Sequence, residues 1–326
     1  MSRRMIMTLL LSVSFVAGWI PGAGASQTPV PPTGRIAFAS DRDWGTVPST
    51  QIYSVNADGT GLTKVTNYPW WALTPSWSPD GTRIAFTGIR PEAAFTGGNH
   101  AHLQFHAHDI YVMGADGSQV KKIAGGPLSN TLPAWSPDGN TIAFLRCVDC
   151  GTTRQIALMK PDGSGVTEIT SGAHFNWRPT WSPDGSKLAF ERDSADFSSA
   201  AIYTVNRDGS GLTKLLDGLP CCPDPAWSPD GTRISFWNSE LPGLQTLAIA
   251  SGKVRTLAVA ADLGGGQTFE RWSSWSPDGA WLALGSCCET SDGVDLFLVS
   301  ADGKTILPVP NAQAASGPAW QPAGTA

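Results

Sequence analysis

Short apolar runs return along this chain at a long, regular interval: Ile84-Ala85-Phe86, Ile142-Ala143-Phe144, Leu188-Ala189-Phe190, Ile234-Ser235-Phe236 and Leu282-Ala283-Leu284. Runs this short, set between polar stretches rich in Gly and Pro, read as buried strands. Each stands two residues beyond a copy of Trp-Ser-Pro-Asp-Gly, at Trp77–Gly81, Trp135–Gly139, Trp181–Gly185, Trp227–Gly231 and Trp275–Gly279. A worn copy, Trp320-Gln321-Pro322-Ala323-Gly324, closes the series, and the steps from Trp to Trp are 58, 46, 46, 48 and 45 residues. Proline presets the second position of a type I turn, Asp suits the third, and Gly takes the left-handed backbone that closes a hairpin with a bulge. A strand ending in Trp therefore turns into the strand that carries the apolar run. A second Asp-Gly follows in most units, at Asp58, Asp116, Asp162, Asp208 and Asp302. That makes four strands per repeat, A to D, which is one blade of a β-propeller.

The first apolar run, Arg35-Ile36-Ala37-Phe38, has no A strand ahead of it, and Gly317-Pro318-Ala319-Trp320 is an A strand with no blade behind it. The two complete each other. The expectation is an all-β, six-bladed propeller over residues 35–324, its ring closed by the C-terminal strand so that no inner edge is left unpaired.

The Trp-Ser-Pro-Asp-Gly turn with its flanking strands closely resembles the repeats of TolB-type β-propellers. Related repeats occur in prolyl oligopeptidases and oligogalacturonate lyases. The TolB resemblance implies a protein–protein platform of the periplasm. The chain departs from that pattern, because TolB proteins carry a separate N-terminal domain and here about ten residues separate a cleavage site from the first strand. Resemblance to prolyl oligopeptidases implies the propeller alone, since no G-x-S-x-G nucleophile elbow is present. Resemblance to oligogalacturonate lyases implies a histidine-lined, metal-bearing channel in seven blades, where this chain counts six.

Residues 1–25 read as a signal peptide: a basic start at Arg3-Arg4, an apolar stretch Ile6–Ile20 and a cleavage site at Ala23-Gly24-Ala25. A short linker, 26–34, leads to the propeller. No other stretch is apolar and long enough to span a bilayer. Without Arg3 and Arg4 the chain has 20 basic and 27 acidic residues, a net charge of −7 that argues against nucleic acid as a partner. An exported, periplasmic or secreted monomer is the expectation.

In an up-and-down blade the A–B and C–D turns share one rim, and the B–C and D–A loops share the other. The repeated turns fall on the first rim. The second gathers what is irregular, and loops on a rigid scaffold are where binding groups sit. Cys147, Cys150, Cys221, Cys222, Cys287 and Cys288 map there as three pairs, for which an oxidising compartment makes disulfides the default. Local pairing and pairing across loops both remain open. His100, His102, His106 and His108 cluster in one B–C insertion, where alternate residues of an extended segment share a face and could hold a divalent ion such as zinc. The plainer reading is a solvated polar loop, since a histidine-rich insert is a compositional signal.

The residues three before each motif Trp, namely Thr74, Leu132, Arg178, Asp224, Trp272 and Gly317, are expected to line the channel mouth. With Trp70, Trp71, Trp177, Glu270 and Arg271 they combine flat apolar faces with a few polar groups, which suits a sugar or another polar ligand. Two functions follow. One is a non-enzymatic binding module for protein or glycan. The other is a metal-dependent carbohydrate-active enzyme, a lyase or hydrolase, using the histidine loop and the mouth carboxylates.

Overall fold

The turn that organises the sequence closes the same way in each complete copy. In the first, the Ser78 N–H donates to the Arg83 carbonyl at 2.9 Å and the Gly81 N–H returns to the Ser78 carbonyl at 2.8 Å. The Ser78 hydroxyl donates to Asp80 Oδ1 at 2.5 Å and accepts the Arg83 N–H at 2.9 Å. Gly81 sits at φ 67°, where a β-carbon would be strained. The Ser–Asp bond recurs at Ser136, Ser182, Ser228 and Ser276.

The computed structural model describes residues 33–43, 50–69, 71–89, 108–126, 128–147, 153–220, 222–240, 243–259, 268–287, 295–313 and 315–323. Among them there are 24 strands and no helix, hence none long and apolar enough to cross a membrane. The first blade contributes β1 (Arg35–Ser40), β2 (Gln51–Asn56) and β3 (Thr63–Lys64). The second is β4 (Ala72–Trp77), β5 (Arg83–Ile89), β6 (His108–Gly114) and β7 (Lys121–Ala124). The third is β8 (Asn130–Trp135), β9 (Ile142–Cys147), β10 (Arg154–Met159) and β11 (Thr167–Glu168). The fourth is β12 (Asn176–Trp181), β13 (Lys187–Asp193), β14 (Ala200–Asn206) and β15 (Thr213–Leu219). The fifth is β16 (Ala226–Trp227), β17 (Arg233–Asn238), β18 (Gly243–Ala248) and β19 (Val254–Val259). The sixth is β20 (Thr268–Trp275), β21 (Trp281–Cys287), β22 (Asp295–Ser300) and β23 (Ile306–Gln313), and β24 (Ala315–Trp320) ends the series.

Each blade is a four-stranded antiparallel sheet, and the first has the order β24-β1-β2-β3. The two chain ends thus share one blade, with Ile36 opposite Trp320 and Ala37 opposite Ala319. This is the predicted six-bladed closure. In the second, fourth and sixth blades the motif Trp clamps its blade to the one before it: Trp77 Nε1 donates to the Ala319 carbonyl at 3.2 Å, Trp181 to Ala134 at 3.0 Å and Trp275 to Ala226 at 3.2 Å. Gln321 extends the seam, donating to the Gly81 carbonyl at 3.1 Å.

The core lies between blades. Phe86 packs with Trp77 and Ile84 against Ala37 and Ile52 of the first blade, and Phe144 packs with Trp135 against Ala85 and Ile110 of the second. The C–D turns dock sideways on the preceding blade, and a β-carbon on Gly117 would stand 2.0 Å from the Val65 carbonyl oxygen. Glycine is required there by close approach as well as by backbone angle. Two residues beside the irregular rim are buried within strands. Trp237 is within β17 and 5% exposed, packed on Leu244 and Trp275, and His108 is a buried residue that opens β6.

Candidate functional site

In five of the six blades the inner strand loses register with its neighbour just ahead of the motif Trp. The break falls between Leu73 and Ser76, between Thr131 and Ala134, and between Trp177 and Thr180. These are β-bulges, and the bulged residue enters left-handed backbone: Thr74 at φ 50°, Leu132 at 56°, Arg178 at 50° and Gly317 at 58°, while Asp224, just ahead of the short β16, takes the same backbone at φ 45°. A proline follows each of the five. The sixth blade has Ser273 instead, and its break, from Phe269 to Ser273, is one residue wider. Trp272 sits in that wider bulge.

The six residues line one end of the central channel, a cavity of about 640 Å³. Below them the lining repeats from blade to blade, down to the motif prolines Pro79, Pro137, Pro183, Pro229, Pro277 and Pro322. Chemical individuality is confined to the mouth. There the Arg178 Nε meets Asp224 Oδ1 in an ion pair between the fourth and fifth blades, the two side chains 24% and 4% exposed. The Arg178 guanidinium also stacks on Trp272, its carbon 3.9 Å from the ring centroid. Trp272 in turn crowds Gly317, where a β-carbon would meet Cε3 at 2.3 Å. With these contacts in place, Trp272 serves as a floor for Arg178 and not as an open stacking platform.

Behind the pair lies Glu191, on β13 and 2% exposed. Its Oε2 accepts the Asp224 N–H at a long 3.5 Å. Thr87 fills the equivalent role in the second blade, its Oγ1 accepting the Leu132 N–H at 3.1 Å. A polar side chain on the second strand thus satisfies the bulge N–H of the next blade. Burial holds the Glu191 carboxyl well above its usual range, and the charges of Asp224 and Asp193 push it further, against the pull of Arg178. Asp193 is raised by burial too, although the Trp177 Nε1–H donates to its Oδ2 at 2.8 Å. Arg154 covers Trp177, 3.8 Å from the ring centroid.

The fold therefore brings Arg178, Asp224 and Trp272 together at the mouth, with Trp177 one residue away on β12. Trp71 stands apart, half-buried ahead of β4, its carbonyl accepting the Ile89 N–H at 3.1 Å. Glu270 and Arg271 fall within β20, and nothing further is described of their side chains. Trp70, His100, His102, His106, Cys150, Cys221 and Cys288 lie outside the described residues. Of the histidine cluster, His108 is described, with Nδ1 3.4 Å from Ser129 Oγ. Among the described residues no three His, Cys, Asp or Glu side chains are grouped to hold a metal. Cys147 ends β9 buried, Cys287 ends β21, and Cys222 stands at φ 71° in a disulfide.

Sequence reasoning misses Glu191, Asp193 and Arg154. For Glu191 and Asp193 the signal is Phe190-Glu191-Arg192-Asp193, three charged residues where the equivalent strands read Phe86-Thr87, Phe144-Leu145 and Phe236-Trp237.

Residues 100–255 match the family model described as the TolB beta propeller domain. A TolB homolog of Chlorobium luteolum is 30% identical over 139 residues, 34% of this chain and 31% of that protein. The match thus spans about a third of the relative's length. Among solved structures, TolB from Acinetobacter baumannii superimposes with a TM-score of 0.70 at 21% identity, covering 89% of this chain and 67% of that one. An oligogalacturonate lyase in complex with manganese gives a TM-score of 0.55 at 17% identity, over 77% and 71% of the two chains. At these identities the structural likeness is one of fold.

Proposed function

We propose that this chain, which belongs to the TolB-type β-propeller repeat family, acts as an exported binding module that holds a protein or glycan over its channel mouth. The observation that carries this is the contrast within the channel. Six equivalent positions present six different residues, including the Arg178–Asp224 pair on its Trp272 floor, while the layers beneath repeat from blade to blade. A scaffold with one individual surface and one uniform surface has its recognition chemistry on the individual one. Arg178 offers a planar, oriented group for a carboxylate or carbonyl, and Asp224 fixes its orientation. The test is a screen of wild-type protein and Arg178→Ala on a glycan array and against displayed random peptides. Binders lost on the variant support the reading, and binders indifferent to Arg178 and Asp224 oppose it.

Export belongs to the same proposal. The basic start, the apolar stretch and Ala23-Gly24-Ala25 support cleavage before Ser26, and an oxidising destination suits the disulfide at Cys222. N-terminal sequencing of the exported protein checks this.

The second reading, a metal-dependent lyase or hydrolase acting on carbohydrate, draws on the likeness in fold to a manganese-bound oligogalacturonate lyase. Its ligands would come from His100, His102, His106 and His108. Stoichiometric metal in protein purified without chelators, lost on His102→Ala with His106→Ala, supports it.

A further inference from the structure

The turn that shapes one rim occurs once more on the other. Ser194-Ala195-Asp196-Phe197-Ser198-Ser199 joins β13 to β14 in the fourth blade. The Ser194 N–H donates to the Ser199 carbonyl at 2.8 Å, and the Phe197 N–H returns to the Ser194 carbonyl at 3.0 Å. The Ser194 hydroxyl donates to Asp196 Oδ1 at 2.7 Å and accepts the Ser199 N–H at 3.1 Å. Bond for bond this is the turn at Ser78–Arg83, with one exchange. Where that turn has Gly81 at φ 67°, this one has Phe197 at φ 56°.

Left-handed backbone is open to glycine and disfavours a residue with a β-carbon, a bulky one most of all. Burial does not account for the substitution. Phe197 is 53% exposed, more than any other large apolar side chain among the described residues. Its ring meets Phe175 edge-on, centroids 4.7 Å apart. Ala195, Asp196 and Ser198 are exposed as well, so the ring stands on a convex tip. Small ligands take concave sites, whereas a protruding aromatic on a preorganised turn is the kind of group that anchors a protein interface. Asp196, whose carboxylate is held ionised by the Ser194 and Ser198 hydroxyls, adds a fixed negative charge beside the ring.

We propose that Phe197 is an anchor for a protein partner seated on the mouth rim, with an apolar socket for the ring and a cationic or hydrogen-bond-donating group opposite Asp196. This rests on the mouth rim being the binding surface and narrows its ligand to a protein.

The test combines stability with photocrosslinking in cells of the source organism. Benzoylphenylalanine replaces Phe197 in one strain and Leu62, exposed on the opposite rim, in another. Position 197 should give a discrete protein adduct and position 62 none. Purified wild-type protein should suppress that adduct, and about tenfold more Phe197→Gly should be needed for equal suppression. The melting midpoint of Phe197→Gly should stay within about 2 °C of wild type. A fall of more than about 5 °C would mark the ring as structural and overturn the proposal. Equal suppression by Phe197→Gly and wild type would overturn it as well. In that case a weak Arg178→Ala competitor leaves the mouth reading standing, and a fully effective one removes both. Absence of a protein adduct, with a glycan-array signal lost in Phe197→Gly, would replace the protein partner with a glycan and so overturn the proposal.

Discussion

Arg178 lies over Trp272 with its guanidinium carbon 3.9 Å from the ring centroid, although the two residues belong to the fourth and sixth blades. The fifth blade joins them through Asp224, which holds the same guanidinium in an ion pair. Three consecutive blades thus meet in one cation. The shared position three residues ahead of the motif Trp makes this geometry available, because all three residues line the same channel.

Arg178→Ala should leave Asp224 buried without its cation. One-sided loss from a fully buried pair costs roughly 3–5 kcal/mol, and partial exposure of Arg178 reduces this to about 2 kcal/mol. Arg178→Lys should recover little, since an ammonium neither stacks as a plane nor keeps the fork. Urea unfolding midpoints check both. A midpoint unchanged in Arg178→Ala would show the pair to be solvent-screened.

Glu191→Gln should stabilise the protein at neutral pH and flatten its pH dependence. The native carboxyl is raised, first by burial and then by Asp224 and Asp193. Below the unfolded value both states are protonated and the residue is neutral to stability. As pH rises past it, the unfolded chain ionises first, so stability falls until the folded value is reached. Glutamine keeps the acceptor for the Asp224 N–H and removes that loss. The melting advantage of the variant should therefore grow from pH 4 to pH 8. An advantage that shrank over this range would reverse the sign.

The repeat is legible in the sequence because turn chemistry is local. Ser78, Asp80 and Gly81 make their bonds within six residues, and so do the other copies. Ring closure is legible because the fragments at Arg35 and Trp320 complement each other. The mouth is legible in part, since position before the motif Trp places Arg178, Asp224 and Trp272. Glu191 is not, because its partner Asp224 lies 33 positions away and is brought close only by blade packing. The Ser194–Ser199 turn is hidden by Phe197 standing where the pattern has glycine.

Removing residues 316–326 should abolish cooperative unfolding. The deletion takes away the strand paired with β1, the Ala319 carbonyl that receives Trp77, and the Gln321 bond to Gly81. Exposed strand edges should also promote aggregation. Calorimetry of the truncated protein checks this, and a cooperative transition near that of the intact chain would contradict the closure.

All six cysteines should be oxidised in the exported protein, with Cys147 bridged to Cys150. A loop this short contributes only roughly 2 kcal/mol through chain entropy, so reduction should shift the melting point little. Non-reducing peptide mapping decides the connectivity. Cys147 linked to a distant loop would refute the local scheme.

The central claim is that recognition belongs to the mouth rim. It is tested most directly by the dissociation constant of the strongest binder from the glycan-array and peptide-display screen, measured for two paired variants. Trp177→Ala with Trp272→Ala removes the floor under Arg178 and the donor to Asp193 on one rim. Ser136→Ala with Ser228→Ala removes two turn bonds on the other. The first pair should weaken binding by about tenfold or more, and the second should leave it unchanged. Binding lost in the second pair and kept in the first would place recognition on the opposite face.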